Sequence, residues 1–306
     1  MELCNNKPLV SIVIPVYNRE DLIRDSIDSA LSQTYENIEV VVVDNCSTDS
    51  TWNIISSYNE PKLRAFQNSN NIGPVSNWKK GIDLSRGEYI KLLFSDDLIS
   101  NDYIEESLKC FDRDTAFVVS SIRKLCDGFI SEGSYFPKTT YSKDEYLTIC
   151  CMQYSEVFPV SPGASLFRRV DIQDAFVYNI PTMGELEPMK NGAGIDLLIY
   201  LNIANKYNKI NIAENTYAVF RSHKGSFSVA NQNILHFYFR AMIFFLERLD
   251  NKKYLYMFKT YLLRKSTYKE EYGMIYATPI YRLSLLYLLP YMYIRRFNYR
   301  LHRFLK

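Results

Sequence analysis

A chain of 306 residues, 47% apolar and 23% charged, has enough material for one large or two modest cores, which excludes a disordered or fibrous chain. Its net charge of +2 gives no whole-protein field toward nucleic acid, so no nucleic-acid partner is expected. The charge is placed unevenly: Pro279 to Lys306 carries six basic residues and no acid, and the +2 total less these six leaves −4 upstream.

Leu9 to Ile14 is a β-rich run that stops at Pro15, since proline lacks the N–H a central strand needs. Asn18 to Thr34 sets Leu22, Ile23, Ile27, Ala30 and Leu31 at helical spacing, with Asn18 available as N-cap. Ile38 to Val43 reads as a second buried strand ending in Asp44-Asn45, and Ser47 to Thr51 can open a helix running to Tyr58. Arg64 to Gln67 is a short third strand, Val75 to Leu84 a helix, Tyr89 to Phe94 a fourth strand and Ala116 to Ser120 a fifth. This alternation predicts an α/β fold, a Rossmann-like, mostly parallel sheet with helices on both faces.

Polar residues collect at the predicted strand ends: Pro15 to Asn18, Asp44-Asn45, Asn70-Asn71 and Asp96-Asp97. In an open α/β sheet ligands bind beyond the carboxyl ends of the strands. Paired acids there suit a hard divalent cation shared with substrate phosphates. Asp96 and Asp97 would equally open a loop or cap the helix that begins near Asn101, and both readings stand at this point.

Downstream, Tyr141 to Tyr154 and Asp196 to Asn205 read as helices and Ile212 to Phe220 as a strand. Pro159 to Arg169 and Ile180 to Gly194 read as loops of the kind that shape an acceptor pocket on a rigid scaffold. From Gln232 the chain turns helical and aromatic. The six cysteines form no CxxC pair and no zinc spacing, so reduced thiols are expected. Met1 to Pro8 is polar and offers no cleavable leader, which points to a cytoplasmic catalytic portion.

Together these segments resemble a family-2 glycosyltransferase of GT-A fold. The resemblance lies in Val10 to Asn18, Val41 to Thr51, Asn71-Ile72-Gly73, Arg86 to Ile90 and Ser95-Asp96-Asp97, in that order over the first 120 residues. It implies a nucleotide-sugar-binding half at 1–120, an acceptor-binding and catalytic half at 121–231, and a helical C-terminal region at 232–306. By the resemblance, Pro15 and Tyr17 line a base pocket, Asp44 and Asn45 contact the nucleoside, and Asn71 adds a nucleotide contact. Asp96 faces the ribose or metal, and Asp97 ligates Mn²⁺ or Mg²⁺ bound to the diphosphate. Gly192 to Leu198 is similar to the family segment that supplies the catalytic base, here Asp196. Phe220 to Ser228 is similar to the loop whose histidine, here His223, completes the metal site, and its Arg-Ser-His-Lys cluster suits a diphosphate.

Three positions depart from the pattern: Asn45, Phe94 and Ile195 stand where relatives often carry acids. The resemblance implies an inverting single displacement from a nucleotide-diphosphate sugar to a glycan or lipid-linked glycan, as in bacterial polysaccharide assembly. Ile280 to Ile294 is apolar and aromatic but too interrupted to span a bilayer. With Arg295, Arg296, Arg300 and Arg303 it suits the inner face of a membrane; a buried helix pair or a homodimer contact is the other use of such a segment. A sugar-nucleotide pyrophosphorylase would carry a Gly-rich basic loop after the first strand, which Pro15 to Asn18 is not. The missing acids leave a non-catalytic carbohydrate-binding scaffold as the alternative.

Overall fold

In the computed structural model, which describes residues 7–126, 128–131, 133–134, 136–152, 157–177, 180, 192–222 and 235–264, the first strand is buried along its whole length. In chain order the elements are β1 (Val10–Val16), α1 (Ile23–Leu31), β2 (Ile38–Asp44), α2 (Thr51–Ser56), β3 (Leu63–Gln67), α3 (Pro74–Leu84), β4 (Tyr89–Leu92), β5 (Leu98–Ile99) and α4 (Tyr103–Lys109). They continue with β6 (Thr115–Cys126), β7 (Phe129–Ile130), β8 (Thr140–Ser142), α5 (Lys143–Met152), β9 (Ser165–Arg168), α6 (Arg169–Ala175), α7 (Ile195–Lys206), β10 (Lys209–Arg221), α8 (Leu235–Glu247) and α9 (Lys253–Arg264).

Successive side chains of a strand point to opposite faces. Val10, Ile12, Ile14 and Val16 accordingly enter one core, with α1, α2 and α4, while Val13 enters the other, with α3 and α5 to α9. Helices cover both faces, as the alternation predicts. Strands β3, β2, β1 and β4 pair in parallel in that order. Next comes β9, antiparallel to both β4 and β6, and then β10, parallel to β6 and antiparallel to β5. Only β9 and β5 run against the other strands of this path.

Several boundaries depart from the sequence expectation. The Pro159 to Arg169 stretch, expected as a loop, holds a 3₁₀ turn (Pro162–Ala164) and all of β9. Four residues are too few for an alternation to show. β1 continues through Pro15, because β4 pairs with β1 only as far as Val13 and the missing N–H costs no bond on that side. Asn18 does not cap α1, which follows Leu22 with no side-chain cap; it sits instead in the left-handed region at φ 50°. Asp96 and Asp97 do not cap α4 either, since Asp102 holds that position.

Helices α8 and α9 belong to the main core, burying Phe239, Met242, Phe245, Phe258 and Leu262. Residues 265–306, which include the basic aromatic segment, lie outside the described residues. Among the described residues no helix is long and apolar enough to cross a membrane, and the described cysteines are free thiols.

Candidate active site

The carboxyl ends of the parallel strands share one rim. Val16 is in register with Asp44, Asp44 with Gln67, and Leu93 N–H bonds Val13 O at 2.9 Å. Pro15, Tyr17, Asp44, Asn45, Asn71, Asp96 and Asp97 all lie along it. Pro15 is buried, whereas Tyr17, two residues on, is 41% exposed.

Behind the rim lies a network of amides. Asn45, 3% exposed, accepts from Asn68 Nδ2 at 2.9 Å and Ile72 N at 3.0 Å, and donates to Asn71 Oδ1 at 2.8 Å. Asn68 also donates to Asn77 Oδ1 and accepts from Lys80 Nζ, while Asn77 Nδ2 reaches Val43 O. Asn45 thus uses both halves of its amide to stitch β2 to the loop before α3. A carboxylate there has no hydrogen to give Asn71. Asp44, fully buried, accepts from Ser47 N at 3.2 Å, from Ser47 Oγ and from Gln67 Nε2 at 2.9 Å. The two loops interlock where Asn18 Oδ1 accepts from Thr48 N at 2.9 Å, holding Asn18 and Cys46 at φ 50° and 63°. Left-handed backbone of this kind costs a non-glycine residue about 1–2 kcal/mol and persists only where surrounding bonds hold it.

At the end of β4 the chain turns through Asp97 N–H to Phe94 O at 2.9 Å. Asp97 is 8% exposed, and burial together with the charge of Asp96 pushes its carboxyl well above the usual carboxylate range. Arg221 N–H, which bonds Asp97 Oδ1 at 3.1 Å, and the cations of Lys91 and Arg221 oppose that rise. The Arg221 guanidinium itself reaches Asp25 Oδ2 at 2.7 Å, Leu22 O at 3.0 Å, Ser26 Oγ at 3.1 Å and Asp96 O. It clamps α1 to the acidic turn. Phe94, in the place of a third acid, packs on Trp78 with ring centroids 5.2 Å apart.

Asp196 is the second residue of α7, after the N-cap Gly194 at φ 86°. Its Oδ1 accepts from Gly194 N at 2.9 Å and Leu197 N at 2.8 Å, and its Oδ2 from Tyr238 Oη at 2.7 Å. Burial outweighs these bonds and raises its pKa to about 7. A carboxyl so tuned can exchange protons near neutrality, as a general base must. Ile195, in place of the neighbouring acid, is buried in the core. The start of α7 is wedged against α3: a Cβ on Gly192, at φ +81°, would stand 2.2 Å from Trp78 Cη2.

Sequence reasoning passed over Tyr238, Ser26 and Lys91. Only Lys91 left a signal, a lone charge within the apolar run Tyr89 to Phe94. His223 lies outside the described residues, and among those described no three His, Cys, Asp or Glu side chains form a metal centre. The Asp96-Asp97 pair nevertheless fits a divalent cation by its chemistry, because a buried carboxylate beside a second one is what a hard cation neutralises.

The family model described as Glycosyl transferase family 2 matches residues 11–176, more than half of the chain. An uncharacterized glycosyltransferase of Haemophilus influenzae is 35% identical over 147 residues, which cover 47% of this chain and 58% of that protein. The Escherichia coli protein named UDP-Glc:alpha-D-GlcNAc-diphosphoundecaprenol beta-1,3-glucosyltransferase WfaP is 32% identical over 146 residues, with the same two shares, 47% and 58%. The chain therefore spans less than two thirds of the length of either relative. The crystal structure of S. aureus TarS 1-349 in complex with UDP-GlcNAc superposes with a TM-score of 0.64 over 89% of this chain and 77% of that one. At 17% identity the likeness is one of fold.

Proposed function

The chain belongs to glycosyl transferase family 2, has the GT-A fold and is a glycosyltransferase, and from that premise we propose that it moves a sugar from a nucleotide-diphosphate sugar to a hydroxyl of a lipid-linked glycan during surface-polysaccharide assembly. The observation that carries this is Asp196: a buried carboxyl with a pKa of about 7, at the start of a helix locked by Trp78 and Phe94 to the strand end that bears Asp97.

The nucleotide lies along the rim, with its base against Pro15 and Tyr17 and its ribose near Asp44, Asn71 and Asp96. Asn45 acts behind them by keeping the loop of Asn71 in place. Asp97 and His223 are the residues that would hold Mn²⁺ or Mg²⁺, which when bound supplies positive charge to the departing diphosphate. Asp196 takes the proton of the acceptor hydroxyl as it attacks the anomeric carbon in one inverting displacement, a contribution of about 10²–10⁴-fold. A uridine donor is supported by the TarS complexes with UDP-GlcNAc and UDP, and a lipid diphosphate acceptor by the name of the E. coli relative. Such an acceptor puts the working enzyme at the inner face of the cell membrane, where residues 265–306 offer basic and aromatic contacts.

Titration of the protein with UDP-, dTDP- and GDP-sugars, each with and without Mn²⁺ and read as a shift in melting temperature, tests this. Metal-dependent stabilisation by one donor, lost in Asp97→Ala, is the expected result. No stabilisation by any donor overturns the proposal in favour of a carbohydrate-binding scaffold.

A further inference from the structure

Lys91 stands in the middle of β4, wholly buried, in register with Ile12 of β1 and Leu166 of β9. An ammonium in such a place is expensive, and an apolar side chain of similar length would fill the space at no such cost. Two contacts offset the expense. Lys91 Nζ donates to Gly163 O and lies 4.1 Å from the centre of the Tyr103 ring.

The Gly163 carbonyl belongs to the Pro162–Ala164 turn, and the far side of that turn is also held. Tyr200 Oη donates to Ser161 O at 2.8 Å and shares a hydrogen bond with Ser165 Oγ at 2.8 Å. Tyr200 lies on α7 about one turn beyond Asp196. The turn also sits close against the end of β4, for a Cβ on Gly163 would come within 3.1 Å of Phe94 Cδ2. One short turn is therefore gripped from β4, whose chain continues into Asp97, and from α7, which carries Asp196.

We propose that Lys91 is a positioning residue: by holding the Gly163 carbonyl it fixes, together with Tyr200, the spacing between the Asp97 turn and the helix that presents Asp196. This rests on the glycosyl-transfer reading above, in which donor and acceptor groups must meet across that spacing. A misplacement of about 1 Å is enough to cost about 10²-fold in rate. Lys91 touches neither substrate in this scheme, so its loss slows turnover and leaves donor binding nearly intact.

The test compares wild type, Lys91→Met, Tyr200→Phe and the double variant by hydrogen exchange and by turnover of the donor that stabilises the wild type. In Lys91→Met, exchange is expected to quicken at least tenfold in both 161–166 and 192–198, with β1 and β2 unchanged. Turnover is expected to fall at least tenfold, with donor KM within threefold and the double variant no worse than the poorer single one. Wild-type exchange in either segment, wild-type turnover, or effects that multiply in the double variant overturn the proposal. If Lys91→Met does not fold, Tyr200→Phe decides alone, since wild-type exchange in that variant refutes the shared grip. A wild type that turns over no nucleotide sugar defeats the glycosyl-transfer reading, and the exchange data still decide the role of Lys91.

Discussion

Tyr238 of α8 gives its hydroxyl hydrogen to Asp196 Oδ2 at 2.7 Å, across 42 residues of sequence. That bond stabilises the charged carboxylate and so holds down a pKa that burial nevertheless raises to about 7. If Asp196 is the base, kcat rises with pH through about 7 in the wild type, and Tyr238→Phe moves the midpoint of that rise upward. The pH profile of kcat checks this, and an unmoved midpoint removes Asp196 from the role.

Asp196→Asn is expected to lower kcat by about 10²–10⁴-fold with little change in donor KM. Its effect on stability depends on pH. A carboxyl whose folded pKa is raised from 3.8 to about 7 contributes its full stability below about pH 4 and loses it as the pH climbs through 7. Melting curves at pH 5 and pH 8 should show the variant gaining on the wild type at the higher pH.

Asp97→Asn keeps the shape of the turn and removes its charge. Donor-induced stabilisation by Mn²⁺ should disappear, and titration calorimetry of Mn²⁺ in the presence of UDP should show no saturable heat. Retained metal-dependent binding would place the cation elsewhere.

Asn45→Asp is expected to destabilise the fold by about 1 kcal/mol, because the bond to Asn71 Oδ1 becomes a meeting of two acceptors at a part-buried position. A urea melt measures this. Improved donor binding without loss of stability would mean instead that position 45 faces the base directly.

Arg221→Met removes a guanidinium that holds α1 and the acidic turn together, at a cost of about 2 kcal/mol from its charged hydrogen bonds. Hydrogen exchange should quicken in both segments together.

Strands β1 and β2 were legible because each is a long β-branched run buried on both faces and closed by polar residues, as in Ile38 to Asp44. The rim residues were legible for the same reason. β9 was hidden because four residues between two neighbouring strands carry no period of their own, and Pro15 misled because the partner it would have disappointed ends two residues earlier. Asn45 and Phe94 looked like lost acids; in the fold each has work that an acid could not do, one as a donor to Asn71 and one as a ring against Trp78. Tyr238 lies too far along the chain from Asp196 for any local pattern to join them.

The order of synthesis gives β9 a further significance. β4 and β6 are complete by residue 126, yet the strand that joins them spans residues 165–168. A chain emerging from the ribosome therefore leaves the β9-facing edges of β4 and β6 unpaired until some forty more residues have been made, and the other edge of β6 unpaired until β10 follows. Open edges recruit foreign strands. The growing chain is open to misassembly at those edges in that interval, and shielding by a chaperone would matter there.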